Sequence, residues 1–192
     1  MNADERRRPQ IGAVIAAAGQ SKRMGRPKQL LPWGEHTVME TVVNNLGDAG
    51  VVPVVCVIGH RADEMREALR RTDASVVVNE RYADQEMLAS YQAGLKTLAK
   101  EDSTAVVGTL LALVDQPHVG PDIIEKVVDQ ALAKPDSIVI PSHAKRRGHP
   151  IYLPRRLWPD LLALSEEQSL RVLLNKYADD IVYVNFDTIF SS

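Results

Sequence analysis

Cysteine is almost missing from this 192-residue chain. Its one example, Cys56, lies inside the apolar run Val51–Ile58, so neither a disulfide framework nor a cysteine-bound metal cluster can be built. An inert, buried thiol fits a reducing compartment, and the cytoplasm is expected. Long hydrophobic runs are missing too: none approaches the roughly 20 apolar residues that span a bilayer. Excess charge is missing, since the formal net charge is −2, and this leaves no general reason to expect nucleic acid or a membrane as partner. Repeats, low-complexity tracts and linkers are absent as well. The chain therefore reads as one domain over 11–192 behind a charged, aperiodic lead-in over 1–10. Arg6-Arg-Arg8 followed by Ile11–Gly19 imitates a secretory signal, but the apolar run is minimal and passes straight into a charged loop.

What the chain does have is the stretch Ile11-Gly-Ala-Val-Ile-Ala-Ala-Ala-Gly-Gln-Ser-Lys-Arg-Met-Gly-Arg-Pro-Lys-Gln-Leu-Leu-Pro32. A small-residue strand runs into a loop bounded by Gly19 and Gly25 and carrying Lys22, Arg23, Arg26 and Lys28. Small residues let backbone approach a ligand, and cations at a strand's carboxyl end favour an anion, phosphate first. The plainer alternative is a solvated basic loop. The glycine spacing is not that of a dinucleotide fingerprint. Nor is it a Walker A loop, because Arg26-Pro27 stands where Lys-Ser or Lys-Thr is required.

Periodicity places strands near 11–17, 52–58, 76–78, 105–114, 137–140, 150–153 and 181–184, with 150–153 read as the returning partner of 137–140. Helices are expected from Thr37, whose Thr-x-x-Glu sequence is a capping box, near 62–70 and 86–99, and from Pro121. Another is expected behind a Ser165-x-x-Gln168 cap through Asn175. Alternation of strand and helix implies a three-layer α/β domain with a mostly parallel, twisted sheet. Ligands in such sheets bind outside the carboxyl ends of the strands. There Asp115 follows Leu-Leu-Ala-Leu-Val114, and a carboxylate buried at that point must be paired or hold metal. Magnesium suits it, needing few protein carboxylates beside phosphate oxygens and water. The alternative is a turn or helix-capping aspartate before Pro117. No Ser-His-Asp or Cys-His set is evident.

The first stretch closely resembles L-A-A-G-x-S-x-R-M-G-x-x-K-x-L-L, the signature of molybdenum-cofactor cytidylyltransferases and guanylyltransferases. Asp115-Gln-Pro117 resembles that family's D-Q-P motif and Arg147-Gly-His-Pro150 its R-G-H-P motif. The resemblance runs over about 11–184 and is nearer the cytidylyltransferase branch. It implies a Rossmann-like fold of the nucleotide-diphospho-sugar transferase type. It also implies Mg2+-dependent transfer of a nucleoside monophosphate, CMP from CTP, onto the phosphate of a molybdopterin-type cofactor. By the same resemblance Ala17, Ala18 and Gly19 present backbone to the nucleotide, and Arg23 and Lys28 neutralise the triphosphate. Asn79, Ser90 and Gly94 fall where base and ribose are held, Asp115 holds magnesium, and Gly148 and His149 line the acceptor side. A molybdenum hydroxylase apo-enzyme is the implied recipient of the product. Taken alone, His149 also reads as a turn histidine hydrogen-bonded locally. Two segments depart from the family pattern. Gln85–Ser90 lacks its glycines, and Asp187-Thr188 only partly echoes its acidic C-terminal segment. The competing readings are a sugar-phosphate nucleotidyltransferase and a non-catalytic nucleotide-binding accessory protein for molybdoenzyme maturation.

Overall fold

The computed structural model describes residues 9–19, 27–80, 87–100, 105–144 and 146–186. The expected lead-in therefore lies largely outside the described residues, as do Lys22, Arg23, Arg26 and Asp187-Thr188. The first strand, β1 (Gln10–Ala16), turns Ile11, Ala13 and Ile15 to one face and Val14 to the other, the two-residue alternation of a strand. After a one-turn 3-10 helix at Lys28–Leu30, a short hairpin of β2 (Pro32–Trp33) and β3 (His36–Thr37) leads into α1 (Val38–Asp48). The capping box forms: the Thr37 N–H donates to Glu40 Oε2 at 2.8 Å, and the Glu40 N–H donates to Thr37 Oγ1 at 3.2 Å. Gly50, at φ 74°, turns the chain after α1.

Then come β4 (Val54–Ile58), α2 (Ala62–Leu69), β5 (Ser75–Val78), α3 (Met87–Lys100), β6 (Val106–Leu113) and α4 (Pro121–Ala133). The chain continues through β7 (Ile138–His143), β8 (Arg146–Arg147), β9 (Ile151–Pro154), α5 (Trp158–Leu162), α6 (Leu170–Lys176) and β10 (Ile181–Asn185). Eight strands form one sheet in the order β10-β7-β9-β6-β1-β4-β5, with β8 on the end of β7. The β6-β1-β4-β5 block is parallel throughout, and β10 is parallel to β7. Helices α1, α2 and α4 cover one face through Met39, Val42, Leu46, Met65 and Val127. Helices α3, α5 and α6 cover the other through Tyr91, Leu95, Leu161 and Leu173. This is the three-layer, mostly parallel arrangement expected from the alternation.

One expectation is refined and one is corrected. Residues 150–153 do pair antiparallel with β7, as expected, with Tyr152 opposite Val139. The tight return along β7 is made by Arg146–Arg147, pairing with His143 and Ser142, and β9 lies between β7 and β6, pairing with β6 at four positions. Its four residues are all buried, which an edge strand does not require and a central strand does. The Ser165–Gln168 pair does not cap a helix. The Ser165 N–H donates to Gln168 Oε1 at 2.9 Å and the Gln168 N–H to Ser165 O at 3.0 Å, closing an isolated turn. The helix begins later, at Leu170 after Ser169.

Candidate functional site

Because β6, β1, β4 and β5 are parallel neighbours, their carboxyl ends share one edge of the sheet. Ala16 pairs with Val57 on one side and Leu113 on the other, and Ile58 pairs with Val78. Just beyond that register lie Ala17-Ala18-Gly19, Gly59, Asn79 and Asp115. The antiparallel β9 begins at the same edge. With Ile151 opposite Leu111, Pro150 and His149 come alongside Ala112 and Leu113. Ala17–Gly19, Asp115 and His149-Pro150, a part of each of the three motifs, thus lie at the same edge of the sheet.

The Ala17–Gly19 turn is held rather than free. The Ala17 N–H donates to Val57 O at 2.9 Å. Gln29, only 3% exposed, donates through Nε2 to Ala17 O and to Gly19 O, each at 2.9 Å. Lys28 precedes it on the 3-10 turn and is exposed. Among the described residues a side chain at Gly19 would meet no atom within 4 Å, so their packing does not demand a glycine there, and the backbone stands open toward the edge.

Gly94 is the opposite case. A Cβ there would come within 2.3 Å of Val14 Cγ1 and 3.0 Å of Val57 Cγ2. Its place in α3 is accounted for by close helix–sheet packing at mid-strand. Leu98, one turn later, lies over Gly12. Counting back one turn from Gly94, by about 6 Å along the helix, puts the buried Ser90 near the level of Ala16, at the functional edge. Asn79 is half-buried just past β5, its N–H donating to Ile58 O at 2.8 Å.

Asp115 is not the buried charge expected from its strand. It stands on the turn two residues past β6 and is exposed. Hydration satisfies it there, and a carboxylate so placed remains available to a ligand. Asn45 of α1 fixes the turn behind it, Nδ2 donating to Pro117 O at 3.2 Å and Val119 O at 3.0 Å. Tyr91, wholly buried, donates its hydroxyl to Ala112 O at 3.4 Å; burial first, then the negative charge of Asp115, pushes its ionisation up. Gly148 is buried, with its N–H on Pro141 O at 2.8 Å.

Burial lowers His149 from 6.5 to about 4, against the opposing pull of Asp115. The recess beside His149, lined in part by Val42, Leu46 and Val119, has room of about 20 Å3, enough for a single water. The folded pKa of His149 is depressed, so the unfolded chain binds more protons between the two values. Its contribution to stability is complete above pH 6.5 and is lost as pH falls toward 4. His149→Gln is expected to flatten the pH dependence of the unfolding free energy in that window by about one proton, as read by denaturant melts.

Gln29 and Asn45 escaped the sequence reading because a polar side chain that bonds to a distant loop carbonyl leaves no periodic signal. Among the described residues no group of three acidic, histidine or cysteine side chains converges. One exposed aspartate fits a hard divalent cation that draws its other ligands from phosphate oxygens and water, and does not fit a closed protein cage.

An open glycine turn after the first strand and an exposed carboxylate after the central one suit a nucleotidyltransferase type of site. The chain belongs to the MobA-like NTP transferase domain family, whose model matches residues 13–181. Molybdenum cofactor cytidylyltransferase of Escherichia coli is 29% identical over 146 residues, 76% of this chain and 70% of that protein. Nicotine blue oxidoreductase of Paenarthrobacter nicotinovorans is 28% identical over 177 residues, 88% of this chain and 83% of that one. The crystal structure of Rv0371c from Mycobacterium tuberculosis superposes with a TM-score of 0.80 at 28% identity, covering 94% of this chain and 90% of that one. Its complex with manganese gives a TM-score of 0.73 at 27% identity, over 95% and 90% of the two chains. The chain is accordingly a nucleotidyltransferase of the MobA-like type. No helix among the described residues is long and apolar enough to cross a membrane.

Proposed function

We propose that the chain moves CMP from CTP onto the terminal phosphate of a molybdopterin-type cofactor, in the cytoplasm, for delivery to a molybdenum hydroxylase apo-enzyme. The observation that carries this reading is the placing of the Ala17–Gly19 turn and Asp115 on neighbouring strand ends, joined by the Ala16–Leu113 register. A phosphate oxygen of the acceptor attacks the α-phosphorus of CTP. The bond from that phosphorus to the α–β bridging oxygen breaks, and its electron pair leaves with pyrophosphate. The attacking oxygen is already anionic near neutral pH, so no side-chain base is required. A His149 that stays neutral down to about pH 4 agrees with that, since it can orient an acceptor group without adding charge.

In this reading the backbone of Ala17, Ala18 and Gly19 holds the nucleotide, with Asn79 and Ser90 toward base and ribose. Gly94 joins that group through α3, whose close packing on the sheet sets the level of Ser90. Arg23 and Lys28 hold the departing pyrophosphate, and Gly148 and His149 line the acceptor. Asp115 would hold Mg2+, which neutralises charge between phosphate oxygens when bound. The manganese complex of Rv0371c supports a divalent ion in this fold.

The test is pyrophosphate release with each of ATP, CTP, GTP and UTP, with and without molybdopterin. Release with CTP that depends on molybdopterin is expected. Equal or faster release with a sugar phosphate, or none with any acceptor despite tight CTP binding, overturns the acceptor assignment.

A further inference from the structure

The nucleotide turn does not hold its own shape. Its two flanking carbonyls, Ala17 O and Gly19 O, both bond to one nitrogen, Nε2 of Gln29, which lies 10 residues further on from Gly19 and is buried. A primary amide nitrogen carries only two hydrogens, so the donor capacity of Gln29 is wholly spent on this turn. The peptide unit is planar and trans, so its carbonyl and N–H point in opposite directions. With Ala17 O drawn onto Gln29, the N–H of Ala18 is aimed away from it. That N–H has no acceptor among the described residues, although Ala18 is only 6% exposed. A buried amide without an acceptor is costly unless something completes it. Among the described residues nothing comes within 4 Å of a Cβ built on Gly19, which leaves a ligand the room to do so.

We infer that Gln29 is a positioning residue for the nucleotide: it fixes the Ala17–Gly19 backbone so that the Ala18 N–H is presented to the nucleoside monophosphate end of the substrate. Gln29 adjoins Lys28 on the same 3-10 turn, so the same two hydrogen bonds also lock the lysine's backbone against the nucleotide turn. Seating of the nucleoside end and placement of the cation are thereby coupled through one buried amide. This rests on the reading of the turn as nucleotide-binding.

The test uses the full chain, Mg2+, and each of the four ribonucleoside triphosphates and monophosphates in calorimetric and competition binding without any acceptor. Gln29→Met keeps the apolar stem and removes both donors. It is expected to weaken the preferred triphosphate and its monophosphate by about tenfold or more alike, because an unpinned turn no longer presents Ala18. Lys28→Ala is expected to weaken the triphosphate while leaving the monophosphate within about twofold, since it acts on the departing end alone. In turnover, Gln29→Met is expected to raise KM for the triphosphate and leave KM for the acceptor unchanged, a split that general loosening of the fold would not give. If the methionine variant fails to fold, Gln29→Asn is measured instead; its amide is one methylene short and cannot span both carbonyls. Nucleotide affinity within about twofold of wild type in a folded variant overturns the role of Gln29. A wild-type chain that binds none of the nucleotides overturns the nucleotide reading of the turn, and this inference with it.

Discussion

Asp115→Ala is expected to lower pyrophosphate release by about three powers of ten or more while leaving the melting temperature nearly unchanged. The two halves of this result have separate causes. Asp115 is exposed on a turn whose backbone is held from behind by Asn45, so removing its carboxylate leaves no cavity and strands no buried partner. The catalytic loss is large because the attacking phosphate and the triphosphate are both anionic. Bringing them together without a bound cation leaves that repulsion uncompensated at the α-phosphorus. Asp115→Asn separates charge from shape: it keeps the side-chain volume and is expected to be nearly as slow at ordinary Mg2+, with partial recovery only at much higher metal concentration. Rates within a factor of a few of wild type for both variants, at subsaturating Mg2+, would show that the metal is held elsewhere. His149 provides an internal comparison. It sits across the β9 start from Asp115 and is already neutral, so His149→Gln should change acceptor KM far more than it changes the metal dependence.

Much of the edge that carries the site was legible in the residues because the signals there are local. The Thr37–Glu40 box and Pro121 at the start of α4 are encoded within four residues of where they act. The small residues of β1, its glycine-bounded loop and the aspartate after β6 likewise mark strand ends directly. What escaped was set by partners far along the chain. The apolar segment Ile151–Pro154 follows a hairpin-like loop, and only the gap between β6 and β7 decides that it fills the sheet centrally. The Ser165–Gln168 pair has capping chemistry, yet what it caps is a lone turn, since the apolar stripe begins at Leu170. Asp115 looks buried only if β6 is carried on through Val114; the chain leaves the sheet after Leu113, and that leaves the carboxylate exposed on a turn. Gln29 and Asn45 each act on a carbonyl at least ten residues away in sequence, a relation no window of neighbours contains.

Gly94→Ala tests the difference between a glycine needed by the fold and one needed by a ligand. Alanine in mid-helix gains about 1 kcal/mol over glycine from backbone entropy, so an unconstrained site would become more stable. Here the new methyl would fall 2.3 Å from Val14 Cγ1 and 3.0 Å from Val57 Cγ2, and both valines are wholly buried. Their branched side chains cannot turn aside without leaving their preferred rotamer, and the strands beneath are paired on both sides. Overpacking of a stiff core site costs about 1–3 kcal/mol or more, and outweighs the helix term. A net loss of about 2 kcal/mol lowers the melting temperature of a chain this size by roughly 4–8 °C. Val14→Ala opens space at the point of collision, so the double variant is expected to lose less than the sum of the two single losses, by about 1 kcal/mol or more. The same pair of variants decides what Gly94 does for the nucleotide. If its absence of a side chain serves only to let α3 approach the sheet, the double variant recovers nucleotide affinity together with stability, because Ser90 returns to the level of Ala16. If Gly94 touches the base itself, stability recovers and affinity does not.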